Sequence, residues 1–253
     1  MPHKTLQPAL IVTGGSRGIG AATAVLAAQA GYSVAVNYTS HGAAAARVVA
    51  QIQAAGGTAM AVQADVADEA QVLAMFRQVD STLGRLSGLV NNAGVVDRAE
   101  RLDAMDMQRL RRMFDINVLG SFLCARQAVL RMSTRHGGSG GAIVNVSSAA
   151  ARLGGAGQYV DYAAAKGAID TFTLGLAREV ATEGIRVNAV RPGIIETEIH
   201  ASGGQPDRAR KMAPSVPMQR AGSAQEVAHS IVWLLSEQSS YTTGAILDVA
   251  GGR

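Results

Sequence analysis

The chain has 253 residues, 23 lysines and arginines against 19 aspartates and glutamates, and a formal net charge of +4, with 48% hydrophobic residues. A chain this apolar and this weakly charged folds, which excludes charge-driven disorder, and its length fits one α/β domain with a sizeable core. Twenty-nine glycines against 4% aromatics favour tight turns and close helix packing over an aromatic-cored β sandwich.

Apolar runs and amphipathic stretches alternate along the whole chain. In chain order the pattern predicts a strand at Ala9–Thr13, a helix near Gly18–Ala30, a strand at Ser33–Asn37, a helix near Ala43–Ala55, a strand at Thr58–Gln63 and a helix near Glu69–Leu83. It continues with a strand at Gly88–Asn91, a helix over Met107–Ser133, a strand at Ala142–Val146, a helix over Tyr159–Glu183, a strand at Arg186–Val190, a helix near Ala224–Ser236 and a last strand at Ala245–Val249. Gly31, Gly56, Gly84 and Gly184 stand where four of these helices stop. Seven strands separated by crossovers predict a mostly parallel sheet with helices on both faces, in a single domain spanning residues 1–253. The interval from Glu198 to Gly222 has no clear strand and no continuous apolar face, so residues 198–217 are expected to form a mobile lid. Val232–Leu235 reads as core packing.

Several function classes fall away. The opening MPHKTLQPALIV lacks the apolar segment of a secretory signal, and no stretch reaches the roughly 18 uninterrupted apolar residues of a membrane span. Cys124 is the single cysteine, so neither an internal disulfide nor a thiolate metal cluster is available, and a cytoplasmic setting is expected. His3, His41, His136, His200 and His229 are too scattered for metal-ligand spacing, and no metal site is predicted. Arg109, Arg111 and Arg112 cluster on one predicted helix, but no basic run interleaves with aromatics, so no nucleic-acid partner is expected.

The first strand runs straight into Thr13-Gly14-Gly15-Ser16-Arg17-Gly18-Ile19-Gly20 and then an alanine-rich helix. Positions without side chains let a backbone turn approach a pyrophosphate, and the helix N-terminus offers free N–H groups to the anion. The spacing is G-x-x-x-G-x-G, distinct from the G-x-G-x-x-G fingerprint and from a P-loop. An acidic residue for a ribose 2′-hydroxyl is expected about 20 positions on, near Asn37. None stands there; the first acidic residue of the chain is Asp65. Arg17, with Asn37, Thr39 and Ser40 nearby, instead suits a 2′-phosphate, which favours NADP while leaving NAD possible.

Tyr162 and Lys166 lie four residues apart on a predicted helix and hence on one face. An ammonium about 5 Å from a phenol, at an effective dielectric near 20, stabilises phenolate by roughly 3 kcal/mol, or about 2 pKa units, which brings tyrosine into acid/base range. Upstream, Ala142–Val146 ends in Ser147-Ser148, where open parallel sheets bind ligands and a hydroxyl can hold a substrate oxygen.

Together these motifs resemble the short-chain dehydrogenase/reductase family, and the resemblance covers essentially the whole chain. Thr13–Gly20 matches the family's cofactor turn, Asp65-Val66 its adenine-side pair, Asn91-Asn92-Ala93-Gly94 the motif closing strand four, Asn117 its helix asparagine, and Pro192-Gly193 the turn beside the nicotinamide. The resemblance implies an α/β, Rossmann-type doubly wound parallel seven-stranded sheet in the strand order 3-2-1-4-5-6-7 and a catalytic set of Asn117, Ser148, Tyr162 and Lys166. It implies cofactor contacts from Gly14, Ser16, Arg17, Gly18, Ile19, Gly20, Asn37, Tyr38, Thr39, Asp65, Val66, Asn91, Ala93, Gly94, Tyr162, Lys166, Pro192, Gly193, Ile195 and Thr197. It also implies a carbonyl or secondary-alcohol substrate and a homotetramer. Ser148 precedes Tyr162 by 14 residues where the family's serine usually stands 13 ahead, so Ser147 stays an alternative and the loop Ala149–Asp161 is one residue longer. Tyr159 has alanine, not lysine, four residues on. The expected activity is NAD(P)-dependent hydride transfer, with a 3-oxoacyl reductase or a glucose dehydrogenase-like sugar dehydrogenase as candidate types and a nucleotide-sensing interaction protein on the same fold as the rival.

Overall fold

Short runs of valine, isoleucine and alanine bury both their faces, as strands of a parallel sheet covered on two sides must. The computed structural model describes residues 7–253, apart from the side chain of His200; His3 and the opening residues lie outside it. The strands are β1 (Ala9–Val12), β2 (Ser33–Tyr38), β3 (Ala59–Gln63), β4 (Leu86–Asn91), β5 (Gly141–Val146), β6 (Ile185–Pro192) and β7 (Ile246–Val249). All pair in parallel, in the order β3-β2-β1-β4-β5-β6-β7, which is the predicted arrangement.

Residues alternate between the two faces of each strand. Ile11, Leu89 and Ile143 pack on one side with Val72 and Phe76 of α3 (Glu69–Thr82), Ala128 of α5 (Gly120–Met132) and Ala177 of α7 (Val160–Val180). Leu10, Val12, Val36 and Val144 pack on the other with Ala24 of α1 (Gly18–Gln29), Val48 of α2 (Gly42–Ala54) and Ile231 of α10 (Ala224–Leu235). The chain direction across the sheet reverses between β1 and β4, and a crevice at the strands' carboxyl ends follows from that reversal.

Two predicted segments come out differently. The helix expected over Met107–Ser133 is interrupted: α4 (Met107–Phe114) passes through a π turn, Asp115–Leu119, before α5 begins. Asn117 lies inside that turn, and its side-chain amide donates to the Met113 carbonyl at 3.0 Å, bonding to the backbone where a regular helix would use only main-chain groups. By length and composition Met107–Met132 could cross a membrane, but half of its apolar window is buried inside the protein, as in a core helix. The interval expected to lack an apolar face carries α8 (Ile199–Ser202) and α9 (Arg208–Met212), and buries Ala209 and Val216. Between β5 and α7 lies α6 (Ala150–Leu153).

Candidate active site

A cavity of about 770 Å³ opens where the strand order reverses, and its wall runs from the glycine turn through the ends of β4 and β5 to α7 and the segment after β6. Gly14, Ser16, Arg17, Gly18, Ile19, Tyr38, Thr39, Asp65, Val66, Ala93, Gly94, Ser148, Tyr162, Lys166, Pro192, Gly193 and Thr197 all line it, so most of the predicted site residues converge on one space.

The turn is held open for a ligand by atoms that leave no room for side chains. Gly14 has φ +60°, and a Cβ there would sit 3.0 Å from the Ala93 Cα; a Cβ on Gly20 would sit 2.5 Å from both the Asn92 amide nitrogen and the Gly14 carbonyl. Asn92 fastens this arrangement by donating to the carbonyls of Thr13 at 2.8 Å and Gly14 at 3.0 Å. Thr13 Oγ1 in turn accepts from the backbone N–H of Asn92 at 2.9 Å and of Ala93 at 3.0 Å. A backbone cradle at the start of α1, too tight for any Cβ, fits a dinucleotide pyrophosphate.

Five predicted residues stand behind the wall instead of in it, among them Gly20, whose part is the close packing just described. Asn37 is buried; its carbonyl-side oxygen accepts from the Gly14 N–H at 3.1 Å and its amide donates to the Ala64 carbonyl at 3.0 Å, so it shapes the turn and does not face a 2′-phosphate. Asn91 points into the core, where it donates to Asn145 Oδ1 at 2.9 Å, and Asn145 passes the chain on to Thr173. Strand alternation puts its neighbour Asn92 on the cavity side, and that residue was missed. Ile195 is buried and bridges to Gly222. Asn117 is fully buried and pairs with both main-chain groups of Val95, accepting from its N–H at 3.2 Å and donating to its carbonyl at 3.1 Å. Its oxygen lies 2.7 Å from where a Gly94 Cβ would be, with Lys166 Nζ at 3.5 Å from the same point, so Asn117 stands close behind the lysine.

The two serines divide cleanly. Ser147 is buried and donates to the Lys166 carbonyl at 3.2 Å, fixing α7 to the end of β5. Ser148 faces the cavity, accepts from the Ala150 N–H at 3.1 Å and hydrogen-bonds Tyr162. The lengthened loop after it contains α6 and the turn Gly154-Gly155, and Gly155, Ala156 and Gln158 line the cavity beside Tyr159. Arg208 of α9 lies over the Tyr159 ring at 5.0 Å from its centroid, so Tyr159, set aside for want of a lysine, joins the segment after β6 to the cavity wall.

Lys166 is buried and donates to the Val146 carbonyl at 2.7 Å, with its ammonium 5.7 Å from the Tyr162 ring centroid. Burial pulls its pKa down to about 8, opposed by the charge of Asp170. Tyr162 departs from the expectation of a lowered pKa: burial pushes the phenol above its ordinary value, and the hydrogen bond with Ser148 pulls the other way. Desolvation disfavours the charged form of both partners, so the pair rests as neutral phenol beside ammonium, with the proton on the atom that would donate it. Asp65 accepts from the Ala67 N–H at 3.0 Å, and Asp68, not Asp65, caps α3. Among the described residues no group of three or more His, Cys, Asp or Glu is placed to hold a metal.

Residues 14–253 match the family model described as Enoyl-(Acyl carrier protein) reductase. Over 96% of its length the chain is 57% identical to the "Uncharacterized oxidoreductase YgfF" of Escherichia coli, of which it covers 98%. It is 38% identical to a 3-oxoacyl-[acyl-carrier-protein] reductase of Staphylococcus aureus, with 96% of each chain covered. Among solved structures, a dehydrogenase/reductase from Sinorhizobium meliloti superposes with a TM-score of 0.88 at 34% identity, covering 97% of this chain and 94% of that one. A mutant short-chain dehydrogenase/reductase from Serratia marcescens gives a TM-score of 0.88 at 34% identity, with 98% of each chain covered. Fold, site and relatives agree: the chain belongs to the short-chain dehydrogenase/reductase family and is an NAD(P)-dependent oxidoreductase interconverting a carbonyl and an alcohol.

Proposed function

We propose that the protein reduces the 3-oxo group of an acyl thioester to the secondary alcohol with NADPH, using Tyr162 as the proton donor. The observation that carries this reading is the convergence of Ser148, Tyr162 and the buried Lys166 on one cavity, at the end of β5 and bounded by the glycine turn. The 38% identity to a 3-oxoacyl-[acyl-carrier-protein] reductase over 96% of both chains supports the substrate class.

Gly14, Ser16, Gly18 and Ile19 would hold the pyrophosphate, Asp65 and Val66 the adenine side, and Ala93, Gly94, Pro192, Gly193 and Thr197 the nicotinamide side. Bound there, NADPH supplies the hydride. Ser148 holds the substrate oxygen and Tyr162 protonates it, while Lys166 stabilises the phenolate left behind and Asn117 steadies the wall through Val95.

NADP is favoured over NAD because Arg17 lines the cavity and forms no ion pair among the described residues, its guanidinium meeting Ser202 at 3.4 Å. In assays of acetoacetyl thioester reduction followed by nicotinamide absorbance, NADPH is expected to outperform NADH. Arg17→Ala should weaken NADPH binding by roughly 1.5–3 kcal/mol more than NADH binding, the range for hydrogen bonds to a charged group. Equal loss with both cofactors, or turnover of sugars instead of oxoacyl thioesters, would redirect the reading.

The segment 198–217 acts as the lid. Arg17 meets it at Ser202 and Tyr159 meets it at Arg208, so it closes between the cofactor turn and the wall of the substrate site. Hydrogen exchange over residues 198–217 is expected to slow when NADPH and substrate bind; identical exchange with and without them would mark a static excursion.

A homotetramer in the cytoplasm completes the proposal. Phe122 of α5 stacks on Phe172 of α7 with ring centroids 3.8 Å apart, and exposed Leu119, Leu130 and Leu174 extend that apolar face. Trp233, expected in the core with Val232–Leu235, is instead exposed on α10, as is Leu247 on β7. A tetramer of paired dimers needs two separate faces, and these two exposed apolar groups are the ones offered for them.

A further inference from the structure

Four charged side chains form a line from the protein surface to the helix that carries Lys166. Arg152 of α6, 58% exposed, meets Asp248 of β7, 36% exposed, at 2.7 Å. Asp248 meets Arg191 of β6 at 3.6 Å, and Arg191 places two guanidinium nitrogens on one oxygen of Asp170 at 2.9 and 2.8 Å. Asp170, whose side chain is 10% exposed, lies on α7 one turn beyond Lys166, on the same face of the helix. Its second carboxylate oxygen is buried without a hydrogen-bond partner. A carboxylate kept in the interior with one oxygen unbonded gains little from packing, and the charged residue one turn before it on the same helix face is Lys166. The line also spans the site mechanically: Arg152 follows Ser148 by four residues, Arg191 immediately precedes Pro192-Gly193, and Asp170 anchors the helix of Tyr162 and Lys166.

We propose that Asp170 is a positioning residue for Lys166, keeping the lysine charged and aimed at the Tyr162 hydroxyl, and that Arg191, Asp248 and Arg152 set how much of the Asp170 charge the lysine feels. The reading rests on the Tyr162–Lys166 mechanism proposed above. Among the other charges on the elements packed against α7, Arg186 of β6 donates to the Leu234 and Ser236 carbonyls, and Glu183 just beyond α7 accepts from Ser133. On α4, Arg109 pairs with Asp161 and Glu100, and Arg112 with Asp97; Asp115 stands at the start of the π turn. Asp170 is thus the carboxylate one turn from the ammonium, and its charge opposes the burial that draws Lys166 down to about 8.

The test is the pH profile of kcat for the full-length enzyme with NADPH and an acetoacetyl thioester. Removing a negative charge near an ammonium makes it lose its proton sooner, so in Asp170→Asn the basic limb should move about one pH unit toward acid. Asp248→Asn, which leaves Arg191 wholly to Asp170, should move it the same way by less. Arg152→Gln, which removes a positive charge, should leave it in place or move it slightly toward alkali. Shifts of opposite sign for opposite charges are what distinguish this role from a purely structural one, in which activity falls with the limb unmoved. Wild-type limb positions in both Asp170→Asn and Asp248→Asn would overturn the proposal. Should Asp170→Asn fail to fold, the more exposed Asp248→Asn and Arg152→Gln pair decides alone. An inactive wild type would instead reject the oxoacyl reading, so the two failures are separable.

Discussion

Tyr162→Phe is expected to abolish turnover while leaving cofactor affinity nearly unchanged. The substitution removes one oxygen and keeps the ring, over which the Lys166 ammonium lies 5.7 Å from the centroid, and the neighbour it leaves is Ser148, a hydroxyl that faces the cavity and can turn to water. The lost proton donor should lower kcat by about 10²–10⁴-fold or more, the usual contribution of a positioned acid. The glycine cradle, built from Thr13, Asn92 and Ala93, is untouched. Lys166→Ala should impair both properties, because the ammonium serves the phenol and lines the cofactor side of the cavity. Turnover is read by nicotinamide absorbance and binding by fluorescence titration. Activity in Tyr162→Phe close to that of the unmodified protein would rule out Tyr162 as the donor.

Asp161→Ala should be among the most destabilising single changes in the chain. Arg109 and Asp161 form a buried ion pair at 2.8 Å, with side-chain exposures of 7% and 0%, and Arg109 also reaches Glu100 at 3.0 Å and the Arg98 carbonyl at 2.7 Å. Deleting the carboxylate leaves a guanidinium in the interior with only the half-exposed Glu100 to share its charge. The expected cost is about 3 kcal/mol, the lower end of the range for breaking a buried pair. Replacing both partners, as in Arg109→Met with Asp161→Leu, should recover most of it, since no charge is then left unpaired. Urea denaturation of the two variants checks this: equal destabilisation of single and double variants would mean that the pair's value lies in packing.

The sheet was legible because seven short apolar runs bounded by glycine have few ways to pack except in parallel. The central residues were legible too, since helical spacing alone puts Tyr162 and Lys166 on one face. What spacing cannot supply is depth. Asn37 and Asn91 stand at strand ends where a ligand contact is expected, yet each spends its amide on backbone or core partners, and only the alternation of the strand distinguishes Asn91 from the cavity-facing Asn92. Burial was likewise invisible, which is why the phenol, expected to be lowered by a nearby cation, is raised by desolvation. The choice between Ser147 and Ser148 needed the third dimension for the same reason.

The π turn at Asp115–Leu119 sets the helical phase of everything before it. One extra residue in an otherwise continuous helix offsets the two sides by about 100°. That offset lets α4 aim Arg109 and Met113 toward α7 while α5 aims Cys124, Ala128 and Met132 at the sheet. A single uninterrupted helix could satisfy one of these neighbours but not both. The segment is thereby intolerant of length change: losing one residue would restore a regular helix and turn Arg109 away from Asp161, whatever side chains the remaining residues carry.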